Sequence, residues 1–88
     1  MSGYNRETGI FELTFTIASY WFRRKDIPQK CMALRHTMEF FACLLREEGL
    51  EVKDVASRFL RVKATPEQLW KALTGQPSDP KRSAYYHR

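Results

Sequence analysis

Between positions 27 and 45 the apolar side chains Ile27, Cys31, Leu34, Met38, Phe41 and Leu45 recur alternately four and three residues apart. That spacing aligns them on one stripe of an α-helix, so the segment predicts a single long amphipathic helix reaching about Glu48. Both ends carry signals: Asp26 can cap the start, Pro28 falls in the first turn where a missing N–H costs nothing, and Gly49 can supply the left-handed residue that stops it. Ala42 and Leu44 widen the stripe, whereas Met32, Phe40 and Cys43 lie toward the other side of the rod. A helix apolar on two sides needs two contacts, one with a sheet and one with a second helix or another copy of the chain. Met32, Phe40 and Cys43 are therefore the candidate protein interface.

The sheet begins before the helix. Residues 1–9 are polar, contain two glycines and show no periodicity, which predicts a flexible N-terminal arm. From Ile10 the pattern alternates, with Phe11, Leu13, Phe15 and Ile17 on one face and Glu12, Thr14 and Thr16 on the other, as in a half-buried strand. The strand is expected to run to about Phe22, through a bulge near Ala18 to Tyr20, before Arg23, Arg24 and Lys25 turn the chain. Aromatics beside cations are what a single-stranded nucleic-acid platform uses, rings stacking on bases while the cations meet phosphates. The same aromatics can equally finish the core of a small domain, leaving the triplet as a solvated turn.

Residues 50–64 admit two readings. In one they form a hairpin, with strands at 50–55 and 58–64, in which Leu60, Val62 and Ala64 face the core while Phe59, Arg61 and Lys63 face outward. In the other, Val52, Val55, Ala56 and Phe59 share a helical face. Asp54-Val55-Ala56 followed by Thr65-Pro66-Glu67-Gln68-Leu69-Trp70-Lys71-Ala72-Leu73 then resembles a helix-turn-helix of the kind found in bacterial repressors. That resemblance implies a second helix reading the major groove. The connection between the two helices is longer than the usual tight turn and lacks a turn glycine, so the strand is preferred for 58–64. Under both readings 66–74 is a helix: Thr65 caps it, Pro66 takes the first position, Gln68 completes a capping box, Leu69, Trp70 and Leu73 form the buried side and Gly75 closes it.

Residues 76–88 hold two prolines and small polar residues, which predicts a flexible tail. Its Lys81, Arg82 and Arg88 combine with Tyr85 and Tyr86 as phosphate-seeking charges with stacking rings. The chain carries a formal charge of +5, the long helical segment is neutral, and the surplus lies mainly in the second half. A surplus of that size suits nucleic acid, an anionic membrane surface or an acidic protein.

Cys31 and Cys43 would be about 18 Å apart along a continuous helix, far beyond a disulfide, so both are expected as reduced thiols. With no signal-like apolar stretch at the N-terminus and no apolar run long enough to cross a bilayer, the expected location is cytoplasmic and no membrane is expected as a partner. His36 cannot join the two cysteines around one zinc on such a helix, and no glycine-rich phosphate loop, nucleophile elbow or Cys-x-x-Cys is present. No catalytic residue, metal or cofactor is expected.

The resulting expectation is one small two-layer α+β domain over 10–75, an antiparallel sheet of two or three strands with one long and one short helix on one face, in the order β-α-β(β)-α. An exposed strand edge is one that a second copy could pair with, so a homodimer is also expected. Two functions follow. One is a non-enzymatic nucleic-acid-binding or regulatory protein that meets phosphates, of DNA or RNA alike, with Arg23, Arg24, Lys25, Arg58, Arg61, Lys63, Lys81, Arg82, Tyr85, Tyr86 and Arg88. The other is an adaptor or inhibitor working by protein contact through the sheet edge or the exposed helix flank.

Overall fold

The period-two stretch beginning at Ile10 is a strand, but only as far as Thr14. There the Thr14 hydroxyl accepts a hydrogen bond from the Ile17 N–H at 3.2 Å, and a helix starts in place of the expected continuation to Phe22. The physical reason is a competition between two periods. Phe11, Leu13 and Phe15 fit an alternating strand, yet Phe15, Ala18 and Phe22 also fit a helical face, and a threonine at the junction supplies the cap that selects it.

The computed structural model describes residues 4–75. They form β1 (Tyr4–Asn5), β2 (Ile10–Thr14), α1 (Phe15–Trp21), α2 (Gln29–Met32), α3 (Met38–Glu47), β3 (Glu51–Val55), β4 (Phe59–Lys63) and α4 (Pro66–Thr74). The sheet is antiparallel throughout, in the order β1-β2-β4-β3. β2 and β3 are each antiparallel to β4 and hence parallel to one another, so the helices between them make a split β-α-β crossover. This is a small α+β domain, with four strands rather than two or three and four helices rather than two. Part of the segment expected as a loose arm joins the sheet, since Tyr4 and Asn5 pair with Phe11 and Ile10.

The hairpin reading of 50–64 is the one the fold adopts, and the helix-turn-helix alternative fails because Glu51–Val55 is a strand. Leu60 and Val62 are buried toward the helices and Arg61 and Lys63 point away, as the alternation requires. Val52 pairs with Val62 and Asp54 with Arg61, so Lys53 is the extra residue of a bulge on this outer strand.

The long helix is broken. α2 ends at Met32, residues 33–37 form a corner, and α3 starts at Met38. His36 adopts a φ of 73°, and Thr37 donates its hydroxyl to the Leu34 carbonyl at 2.6 Å. The corner folds α2 back on α3 and brings Cys31 and Cys43 to a Cα separation of 5.7 Å, where they form a disulfide. The expectation of two reduced thiols was derived from a straight rod, so it falls with the rod. The thiol-based argument for a cytoplasmic location falls with it, because disulfides persist mainly in oxidising surroundings. Asp26 is not the cap either: Pro28 occupies that position and Asp26 is almost wholly exposed. The far end matches the expectation, for the Gly49 and Leu50 N–H groups return to the carbonyls of Arg46 and Leu45 with Gly49 at φ 83°.

Leu13, Leu44, Leu45, Leu60, Leu69 and Leu73 are fully enclosed between the sheet and the helices. Truncating one of them to alanine is worth about 2–5 kcal/mol in a core of this kind. Phe15, Phe22, Phe40 and Phe41 form a cluster of edge-on rings at centroid distances of 5.3–6.2 Å, and Trp21 meets Trp70 edge-on at 6.0 Å.

Candidate nucleic-acid interface

Six cations within the fold were expected to form one phosphate-binding surface: Arg23, Arg24, Lys25, Arg58, Arg61 and Lys63. The topology distributes them over four environments: the uncovered sheet face, the junction of α3 with α4, the β3–β4 turn and the end of α1.

Arg61 and Lys63 lie on the uncovered face of the sheet, where neighbouring strands place acids beside them. Arg61 reaches Glu12 of β2 at 3.1 Å and Asp54 of β3 at 3.6 Å, and its guanidinium stands 5.0 Å from the centre of the Phe59 ring. Lys63 is opposite Glu51, which Lys53 also engages at 2.8 Å. The hydrogen bond from Lys53 and its charge, with a further contribution from Lys63, hold the Glu51 carboxyl below its ordinary range. The face is therefore a mixed-charge lattice rather than a basic one. Like-face pairing across strands produced it, and that pairing becomes visible only when the register is known.

Arg24 has left the surface altogether. Its side chain is 10% exposed, with Nη1 3.6 Å from Glu48 and 3.3 Å from the Ala72 carbonyl. It thereby joins the C-terminal ends of α3 and α4, where the helix dipoles favour a cation. Nε approaches Asp26 at 3.9 Å without a hydrogen bond. This residue is structural, and its removal from the phosphate-binding set is a correction.

Arg58 is exposed in the β3–β4 turn, and its carbonyl accepts the Phe15 N–H at the start of α1. Arg23 and Lys25 follow the other end of α1, about 10 Å further along that axis.

Around Arg23 and Lys25 the chain does gather the right chemistry. Tyr20 is, at 73%, the most exposed large hydrophobic side chain among the described residues, and the Arg23 guanidinium lies 6.0 Å from its ring centre. Arg23 Nη1 donates to the carbonyls of Tyr20 and Phe22 at 2.6 and 2.9 Å, which fixes the guanidinium beside the ring. The Arg23 N–H donates to the Leu73 carbonyl at 2.9 Å, so the last turn of α4 is seated on the basic triplet. Arg24 also lies under Gly75, where a Cβ would be 3.5 Å from its Cγ. Gly75 is the last described residue. Lys81, Arg82, Tyr85, Tyr86 and Arg88 follow it and lie outside the described residues. Tyr20 joins the candidates although the sequence reading did not single it out. Its signal is its place in an aromatic run next to cations, which a strand running to Phe22 hides.

The proposed protein-contact flank does not survive as a surface. Phe40 is 3% exposed and packs on Phe22 and Phe41, Cys43 is half-buried in its disulfide, and only Met32, at 40%, faces out. The reason is that both sides of α3 are covered: Phe22 and Arg35 pack on Phe40, and α2 is bonded to Cys43. Among the described residues no group of three or more His, Cys, Asp or Glu side chains could hold a metal ion, and no helix is long and apolar enough to cross a membrane. Set against family models, curated proteins and solved structures, the chain matches none of them, and its functional reading rests on the arrangement around Tyr20, Arg23 and Lys25.

Proposed function

We propose that the protein is a small, non-enzymatic binder of single-stranded nucleic acid, held by Arg23 and Lys25 together with Lys81, Arg82 and Arg88, with Tyr20, Tyr85 and Tyr86 as stacking rings. The observation that supports this reading is the docking of α4 on the basic triplet through the Arg23–Leu73 hydrogen bond. It seats the last turn of α4, after which the chain runs on toward Lys81, beside Arg23, fifty residues earlier in sequence. Stacking on exposed tyrosine suits unpaired bases, and cations suit any phosphate, so binding tolerant of sequence and strongly weakened by salt is expected.

Fluorescence anisotropy of a labelled single-stranded oligonucleotide tests it. With about five cations meeting phosphates, the logarithm of affinity falls against the logarithm of salt with a slope of about −3.5, from ~−0.7 per phosphate on single strands. The pair R23E/K25E should weaken binding across all sequences, whereas R61Q, which removes a cation already paired to two acids, should leave it nearly unchanged. No anisotropy change at about 50 mM salt, or an affinity indifferent to salt, overturns the proposal.

A further inference from the structure

The segment 29–47 satisfies two mutually exclusive descriptions. Its apolar stripe fits an uninterrupted helix, and no proline or glycine lies between Gln29 and Glu48. The fold nevertheless bends it, with a non-glycine residue, His36, at φ 73° and a disulfide closing the corner. In a straight helix Cys31 and Cys43 would be about 18 Å apart, against the observed Cα separation of 5.7 Å. The Lys30–Glu47 ion pair, 2.6 Å long, is likewise possible only when α2 folds back.

We propose that this disulfide is the catch of a redox-dependent conformational switch, and that its reduction lets 33–37 become helical and merges α2 with α3. The reductant is a dithiol. One of its thiolates attacks Sγ of Cys43, the half-buried partner, forming a mixed disulfide while the Cys43–Cys31 bond breaks and Cys31 leaves as a thiolate that takes up a proton. The second thiol of the reductant then displaces Cys43, which is protonated in turn. The protein disulfide gains two electrons and two protons, and the dithiol is oxidised to its own disulfide. Once the link is gone, nothing covalent opposes relief of the positive φ at His36, and the N–H groups of Leu34, Arg35 and Thr37, which bond three residues back in the bend, can bond four residues back as in a regular helix. α2 is joined to Arg23–Lys25 through only Asp26, Ile27 and Pro28, so the switch adjoins the basic triplet.

The full chain, oxidised and then treated with dithiothreitol, is followed by backbone carbon chemical shifts of residues 33–37. On reduction these five are expected to move to helical values and His36 to lose its left-handed signature, while β2 and β4 keep their shifts. The variant C31S/C43S should show the reduced pattern without reductant, and H36G, which relieves the strain of the bend, should hold the corner even when reduced. Unchanged shifts at 33–37 after complete reduction overturn the proposal. So does loss of shift dispersion throughout the chain in both the reduced protein and C31S/C43S, because the disulfide would then staple the whole fold rather than latch one corner.

Discussion

α4 and the α2–α3 corner differ in how their helices are stopped. α4 carries its own terminators within a few residues: the Thr65 and Gln68 side chains bond reciprocally to the N-terminal turn, Pro66 starts it, and Gly75 takes a φ of 76° at the other end. The corner is held by a mixture of near and distant contacts. The Thr37 hydroxyl bonds back to the Leu34 carbonyl instead of capping α3, His36 is left-handed, and beyond these the bend depends on a bond between cysteines twelve residues apart and on the Lys30–Glu47 pair. One helix ends on neighbouring residues alone, the other on neighbours together with distant ones. A boundary set locally should be insensitive to chemistry elsewhere in the chain. One set at a distance should move when the distant bond is removed.

The largest effect should come from removing that bond. Reduction, or C31S/C43S, is expected to lower unfolding stability by about 3 kcal/mol, the scale for a closed loop of this size, with the transition still cooperative. Denaturant melts of oxidised and reduced protein check it, and equal midpoints would place the corner among locally determined features. Next comes Arg24→Ala, which leaves Glu48 and the Ala72 carbonyl without their shared guanidinium at the ends of both helices. About 2 kcal/mol should be lost, read from the urea midpoint at constant m.

Thr65→Ala should cost about 1 kcal/mol and fray only α4, seen as faster amide exchange at Glu67 and Gln68 with none at Met38 to Phe40. The smallest effect has the opposite sign. His36→Gly should stabilise the oxidised protein by about 0.5 kcal/mol, because the strain it relieves slightly exceeds the added freedom of the unfolded chain. A destabilisation would mean that the His36 side chain contributes contacts outweighing its backbone strain.

The same contrast explains what could be read before the fold was known. Both ends of α4, the Gly49 terminator and the β4 alternation depend on residues within a turn or two, and each is realised. The break at 33–37 depends on Cys31 meeting Cys43, a contact that an apolar stripe fitting a straight helix does not disclose. The stretch after Thr14 failed for a milder reason: a period of two and a period of 3.6 agree over its first residues, and only the threonine cap separates them. For the candidate site, Arg23 and Lys25 were legible as cations beside aromatics. The neutralisation of Arg61 by Glu12 and Asp54, and the withdrawal of Arg24 between two helix ends, needed the strand register and the helix packing.

β3 is the outermost long strand, and its bulge at Lys53 leaves Glu51, Lys53 and Asp54 facing solvent. A kinked rim bearing both signs of charge is a poor template for an incoming strand, since backbone groups fall out of step and any copy brought alongside in register meets its own charges. The consequence reaches past the single molecule: concentrated solutions of this protein should resist fibril growth from that side, and straightening the strand by deleting Lys53 should be the shortest route to losing that protection.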